Sequence, residues 1–137
     1  MPRGHRQIDH TADIALELWA DSEADLLIAG AEAVVEILTG GAQVADLGER
    51  AIEIDAVDAA DRLVQWLNEI IVAAVAGGFL FRAASIELDG ETGLRASARG
   101  EPDAHDRVVA ELKSATYHDL ALERHQSGWR ARVIIDV

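Results

Sequence analysis

Residues 8–20, IDHTADIALELWA, alternate between apolar and polar positions. Ile8, Ala12, Ile14, Leu16 and Leu18 form one series, with His10 among them, while Asp9, Thr11, Asp13 and Glu17 form the other. A period of two over this length predicts one strand with a buried face and a wet face. It sets Asp13 on the wet face, where a carboxylate can meet a cation or a partner. Ser22 then heads a helix as its N-cap, with Glu23 and Asp25 at the positive end of the dipole. Leu27, Ala31, Val34, Val35 and Leu38 follow at helical spacing, and Gly40-Gly41 ends the run. Ile52, Ile54 and Ala56 alternate with Glu53 and Asp55, a short half-buried strand. Asp58 caps a second helix, with Asp61 placed as in a capping box. Its apolar stripe is Leu63, Trp66, Leu67, Ile70, Ile71 and Ala74, and Gly77-Gly78 stops it. At this spacing Trp66 reads as a core residue rather than a binding aromatic.

Phe79 and Phe81 open a strand that runs on through Ala84, Ile86 and Leu88. Asp89-Gly90 begins a turn, and Leu94, Ala96 and Ala98 return as the paired strand. Residues 100–107 are polar, contain Pro102, and read as a loop. Residues 108–116, VVAELKSAT, fit a helical turn through Val108, Val109 and Leu112. They equally fit a strand with Val109, Glu111 and Lys113 on one face, and pattern does not choose between them. Residues 117–123 read as a strand, 125–128 as a turn and 129–137 as the last strand. That strand buries Trp129, Ala131, Val133, Ile135 and Val137 and turns Arg130, Arg132 and Asp136 the other way. Ile134 shares this second face, which therefore needs some apolar cover. Helices mixed with meandering strands predict an α+β fold, a mixed, mostly antiparallel β-sheet with two main helices packed on one face. No linker, repeat or low-complexity tract divides the chain, so residues 1–137 read as a single domain.

Composition and charge sharpen this picture at four points. Aromatics are only 4% of the residues, so the core is built from Ala, Val, Leu and Ile. There are no cysteines, which removes disulfides, thiolate metal sites and cysteine nucleophiles and says nothing against the cytoplasmic home expected of the chain. No apolar run approaches the span of a bilayer, and MPRGHRQIDH lacks the apolar centre of a signal peptide. Charge is the most informative total. Twelve basic against twenty-five acidic residues leave a net −13. Such a surface repels phosphate on average, so direct stable nucleic-acid binding is not expected, and a cation or a basic protein is the favoured partner. A local basic patch remains open, because Arg130 and Arg132 share one face of a strand.

The strands also place acidic groups. If the first and last strands are neighbours, Asp13 and Asp136 can converge, and Val137 adds a main-chain or terminal carboxylate oxygen. Clustered hard oxygens suit calcium or magnesium rather than zinc or copper. From pattern alone, two unrelated surface aspartates remain the simpler reading. His10 sits in the apolar series, as a structural histidine would, while His5, His105 and His125 fall in loops. His118 and Asp119 are adjacent on the expected strand and would face opposite ways, which argues against a relay. Ser85, Ser97 and Ser114 occur in no nucleophile-elbow context, and no phosphate-binding glycine loop is present. Lys113 is the one basic residue in a small and apolar stretch, either solvated or a donor to a phosphate or carboxylate.

Several of these pieces together resemble the archease family. They are Asp9-His10-Thr11-Ala12-Asp13, the Ser22-capped helix, LVQWLNEII at 63–71, Phe79-Leu80-Phe81 and Gly100-Glu101. ELKSATYHDL at 111–120 and the closing strand at 129–137 complete the set, in family order across nearly the whole chain. Leu112 and Ser114 depart from the usual run but flank Lys113 without replacing it. The resemblance implies two helices and a mixed sheet. It implies an accessory protein of the RtcB-type RNA ligase, which joins a 3′-phosphate or 2′,3′-cyclic phosphate end to a 5′-hydroxyl. Such a protein promotes guanylylation and repeated turnover of the ligase in tRNA splicing and RNA repair, and is not itself an enzyme. It also implies a divalent metal site, commonly calcium, carried over onto Asp13, Asp136 and Val137. Lys113 matches a functionally important lysine of the family. A metal-free chaperone or adaptor, and a metal-dependent phosphoester hydrolase, are the other readings the sequence leaves open.

Overall fold

The computed structural model describes residues 2–9 and 13–137. Strands β1 (Gly4–Asp9) and β2 (Ile14–Ala20) lead into helix α1 (Glu23–Thr39), strand β3 (Gly48–Asp55) and helix α2 (Ala59–Val75). The hairpin β4 (Leu80–Asp89) and β5 (Gly93–Glu101), a single 3-10 turn at His105–Arg107, and β6 (Ser114–Ala115), β7 (Ala121–His125) and β8 (Gly128–Asp136) follow. The fold is α+β with two helices, as the pattern predicts. The strands divide into two sheets, one ordered β1-β2-β8-β6 with β7 also on β8, the other β3-β5-β4. Every ladder among the described residues is antiparallel. Both helices pack against each other and against strands of both sheets, so the two sheets share one core. This explains why α1 buries residues around most of its circumference, from Leu26, Leu27 and Ala29 to Ala31, Val34 and Leu38.

The caps form as the sequence predicts. Ser22 Oγ accepts from the Asp25 amide at 3.1 Å, and Gly40 closes α1 with a left-handed φ of 69°. Asp58 accepts from the Asp61 amide at 2.8 Å. The Asp61 carboxylate reaches back one residue further than a regular capping box, to the Val57 amide at 2.9 Å. Trp66 is fully buried, donates to the Leu27 carbonyl at 2.7 Å and meets Phe81 edge-on. The expected core role of this residue holds.

Several expectations change. The stretch 8–20 is not one strand. Ile8 pairs with Ala15 and Asp9 with Ile14, so the chain reverses between β1 and β2. Odd positions of β2 therefore share a face with even positions of β1. Alternation alone cannot register such a reversal, which the pairing of Asp9 with Ile14 reveals. His10, placed in the apolar series above, lies outside the described residues. His5 belongs to β1 rather than a loop, opposite Leu18, with Nε2 3.1 Å from the Glu36 carboxylate. Residues 100–107 are not wholly loop, because β5 runs to Glu101. Gly100 there is a close approach rather than a breaker: a Cβ would lie 1.9 Å from the Leu80 carbonyl oxygen. Residues 117–120 form a turn, with Asp119 at φ 50°, and the strand begins only at Ala121 and reaches His125. In β8, Ile134 is buried as its pattern requires, but Val137 is 44% exposed rather than part of the buried series.

Candidate metal-binding rim

The β2–β8 ladder fixes where the two aspartates lie. Its last registered pair is Ile14 with Ile135. Asp13 and Asp136 are each the next residue, so continuing the register sets them opposite one another. Ser114 of β6 is registered against Asp136 from the other side. The rim thus reads Asp13, Asp136, Ser114 across three segments. Both aspartates are half-buried, and Val137 follows directly. The Lys113 amide donates to the Asp136 carbonyl at 2.9 Å, while its side chain is exposed.

Two carboxylates facing each other across an antiparallel pair repel. Among the described residues, no donor or cation is bonded to either carboxylate. A divalent cation would relieve that repulsion, and the oxygens available are of the hard type that calcium or magnesium takes. The residues present therefore fit such an ion. They do not complete a cage, because no group of three or more His, Cys, Asp or Glu side chains converges among the described residues. Backbone oxygens, water or a partner would have to supply the remaining ligands.

The segment carrying Lys113 is irregular rather than helix or extended strand. The Lys113 amide bonds Asp136, yet Ser114 is the residue registered there, and the Thr116 amide bonds Ile134 at 2.9 Å. One extra residue has entered on the β6 side, so Lys113 and Ser114 both stand against Asp136, a one-residue bulge. Beyond it, both backbone groups of Ala115 turn away from β8 and meet Asn68 of α2. The Ala115 amide donates to Oδ1 at 2.7 Å, and Nδ2 donates to the Ala115 carbonyl at 3.2 Å. Tyr117 donates its hydroxyl to Asp61 Oδ1 at 2.6 Å, and Gln65 donates to Oδ2 at 2.9 Å. Sequence reading missed Asn68 and the role of Asp61 beyond its cap. The available signal was the spacing of Asp61, Gln65 and Asn68, one polar stripe along α2 beside the apolar one.

The hydrogen bond from Tyr117 is the foremost cause holding the Asp61 carboxyl below its usual range, joined by the Val57 amide; the same contact raises the Tyr117 phenol above its own. A lowered carboxyl contributes stability that is complete above its unfolded pKa and is lost as pH falls through the folded one. A raised phenol contributes stability that is complete below its unfolded pKa and is lost as pH rises toward the folded one. Tyr117→Phe is accordingly expected to cost about 1 kcal/mol at neutral pH. Urea midpoints followed from acid to alkaline pH should converge with those of the parent at both extremes. A constant gap across the range would contradict the pairing.

His118 and Asp119 do meet, with Nε2 3.4 Å from Oδ2, although adjacent strand residues would not. The turn at Asp119 is the reason. Both side chains are largely exposed, at 69% and 62%, so the pair is a surface contact and not a relay. Arg130 and Arg132 share the face that carries Asp136, as their spacing predicts. There Arg132 is registered against Glu17, which pairs with Arg6, and Arg130 lies opposite Glu123. The patch is therefore of mixed sign.

The Archease protein family model matches residues 5–137. The chain belongs to the archease family. Protein archease of Methanopyrus kandleri is 37% identical over 136 residues, covering 96% of this chain and 97% of that protein. Protein archease of Pyrococcus abyssi is 30% identical over 136 residues, covering 94% and 95%. Among solved structures, the solution structure of Methanobacterium thermoautotrophicum protein 1598 superposes with a TM-score of 0.77 at 24% identity, over 98% of this chain and 99% of that one. The crystal structure of an archease from Thermotoga maritima, described as a possible chaperone, gives a TM-score of 0.61 at 25% identity, covering 96% of each chain. The α+β arrangement read from the pattern is thus the archease fold. Among the described residues, no helix is long and apolar enough to cross a membrane.

Proposed function

We propose that this archease is an accessory protein of an RtcB-type RNA ligase, promoting its guanylylation and multiple turnover in tRNA splicing and RNA repair. It does so while holding a divalent cation, with calcium the expected ion, at Asp13, Asp136 and the main-chain oxygen of Val137. The observation that supports this reading is the β2–β8 register, whose last pair, Ile14 with Ile135, leaves the half-buried Asp13 and Asp136 each one residue beyond it, without a bonded counter-charge among the described residues. Membership of the archease family is what supports the choice of a ligase as partner. A ligase that handles GTP, metal ions and RNA needs a positively charged cleft, and a protein of net −13 is steered toward it. The bound ion would neutralise charge between the two proteins and help arrange phosphate oxygens for nucleotidyl transfer. This chain's own residues would position that ion and present Lys113 beside it. The small protein supplies no nucleophile, and the reading needs none from it.

A ligation assay with catalytic amounts of the cognate ligase tests the proposal. With this protein present, ligated RNA should accumulate beyond one equivalent of ligase; without it, the reaction should stall near the first turnover. Equal turnover in both arms would remove the ligase reading. The incomplete side-chain cage favours a second reading, a metal-free chaperone or adaptor. Calorimetry with calcium separates the two, since heat and a raised melting temperature belong only to the first.

A further inference from the structure

We propose that Asn68 is a positioning residue for the rim, an amide in the side of α2 that substitutes for a missing strand and holds 113–116 against Asp136. This rests on the metal reading given above. β6 is only two residues long and lies at the end of the first sheet. One side of it pairs with β8. The other side would expose the amide and carbonyl of Ala115, a residue only 4% exposed, and buried backbone groups without partners are costly. The Asn68 carboxamide offers one acceptor and one donor in the geometry of a peptide group, and both are used. Seven residues earlier on the same helix, Asp61 takes the Tyr117 hydroxyl. The two contacts pin the chain on either side of Thr116, which itself bonds Ile134 through its amide and its hydroxyl, each at 2.9 Å.

This attachment bears directly on the rim, because the pinned segment contains the bulge. Lys113 and Ser114 both stand against Asp136 only while one extra residue is held in the β6 side of the ladder. Bulges re-aim side chains and occur beside functional sites. Releasing Ala115 allows the short strand to slip or detach, and the Lys113 amide then loses the Asp136 carbonyl. Asn68 would thus set the shape of the ion site without touching the ion, in the manner of the outer partners that fix metal ligands.

The test is titration of the full chain with calcium, or with terbium read by luminescence, alongside amide hydrogen exchange. Asn68→Ala is expected to weaken ion binding roughly ten-fold, the scale of an outer-shell loss. Exchange at the amides of Lys113, Ala115 and Thr116 should accelerate in the same variant. Asn68→Gln keeps the amide and the polarity but is one methylene longer, so it should also weaken binding, and it serves if the alanine variant folds poorly. Ser22→Ala is the control for general destabilisation. It loses about 1 kcal/mol of cap at the opposite end of β2, and should melt lower while binding the ion as the parent does. Parent-like affinity in both Asn68 variants would overturn this inference alone. Absence of ion binding in the parent would overturn the metal reading and this inference with it.

Discussion

Asp136→Asn is expected to abolish ion-dependent stabilisation and stimulation of the ligase, while leaving the ion-free protein as stable as the parent or slightly more so. The opposite signs follow from one geometry. Asp13 and Asp136 each lie one residue beyond the last registered β2–β8 pair, with no bonded counter-charge among the described residues. Like charges opposite one another across a strand pair are destabilising, so removing one of them should not cost stability. On the proposed reading the same carboxylate would be a direct ligand of the ion, and its loss should exceed the ~10–100-fold typical of an outer-shell residue. A site saturated to 100 times its Kd contributes about 2.7 kcal/mol to folding. The parent should therefore gain melting temperature on adding calcium, and the variant should not. Asp13→Ala should behave alike and fail to support multiple turnover. If either variant kept both the calcium-induced rise in melting temperature and stimulation of the ligase, the rim would not be the ion site.

The second large effect concerns stability alone. Arg62 in the first turns of α2 has its side chain only 2% exposed. Its Nε donates to Glu23 at 2.9 Å, its Nη2 also bonds Glu23, and its Nη1 donates to the carbonyls of Gly90 at 3.0 Å and Gly93 at 2.9 Å. One guanidinium thus joins the start of α1, the start of α2 and the β4–β5 turn. Arg62→Ala would leave the Glu23 carboxylate, 13% exposed, without its cation and two carbonyls without their donor. Breaking a buried pair from one side costs about 3–5 kcal/mol. Against a typical total of ~5–15 kcal/mol, that is a large share of the whole. The double variant Arg62→Met with Glu23→Leu should recover much of the loss, because burying two charges is itself expensive. Chemical denaturation measures both. A cost of only a few tenths of a kcal/mol for Arg62→Ala would mean that water reaches the pair.

What was legible in the sequence was local. Ser22 and Asp58 could be recognised as caps because their side chains answer to amides three residues away. The stripes of α1 and α2 were legible because a helix repeats its own faces, whatever it packs against. Arg130, Arg132 and Asp136 were assigned to one face for the same reason, and β8 bears this out. The reversal of direction from β1 to β2 was less accessible. Both arms of that hairpin alternate, and the period carries no mark of where direction changes. Residues 108–116 resisted assignment because their partners are distant in sequence, Leu38 for the Val109 amide and Asn68 for Ala115. Without those contacts, this stretch has no preferred secondary structure of its own.

The sequence by itself determined which residues could form helices, which faces they would bury, the strongly acidic surface and the absence of any thiol chemistry. Those properties depend on spacing of a few residues and on composition, both of which are complete in the chain as written. Only tertiary structure decided that β2 and β8 are neighbours, that their register ends one residue short of Asp13 and Asp136, and that the strands divide into two sheets around the helices. Residues 13 and 136 are brought together by pairing between opposite ends of the chain. No local preference encodes such a pairing, because it arises only when the whole core closes.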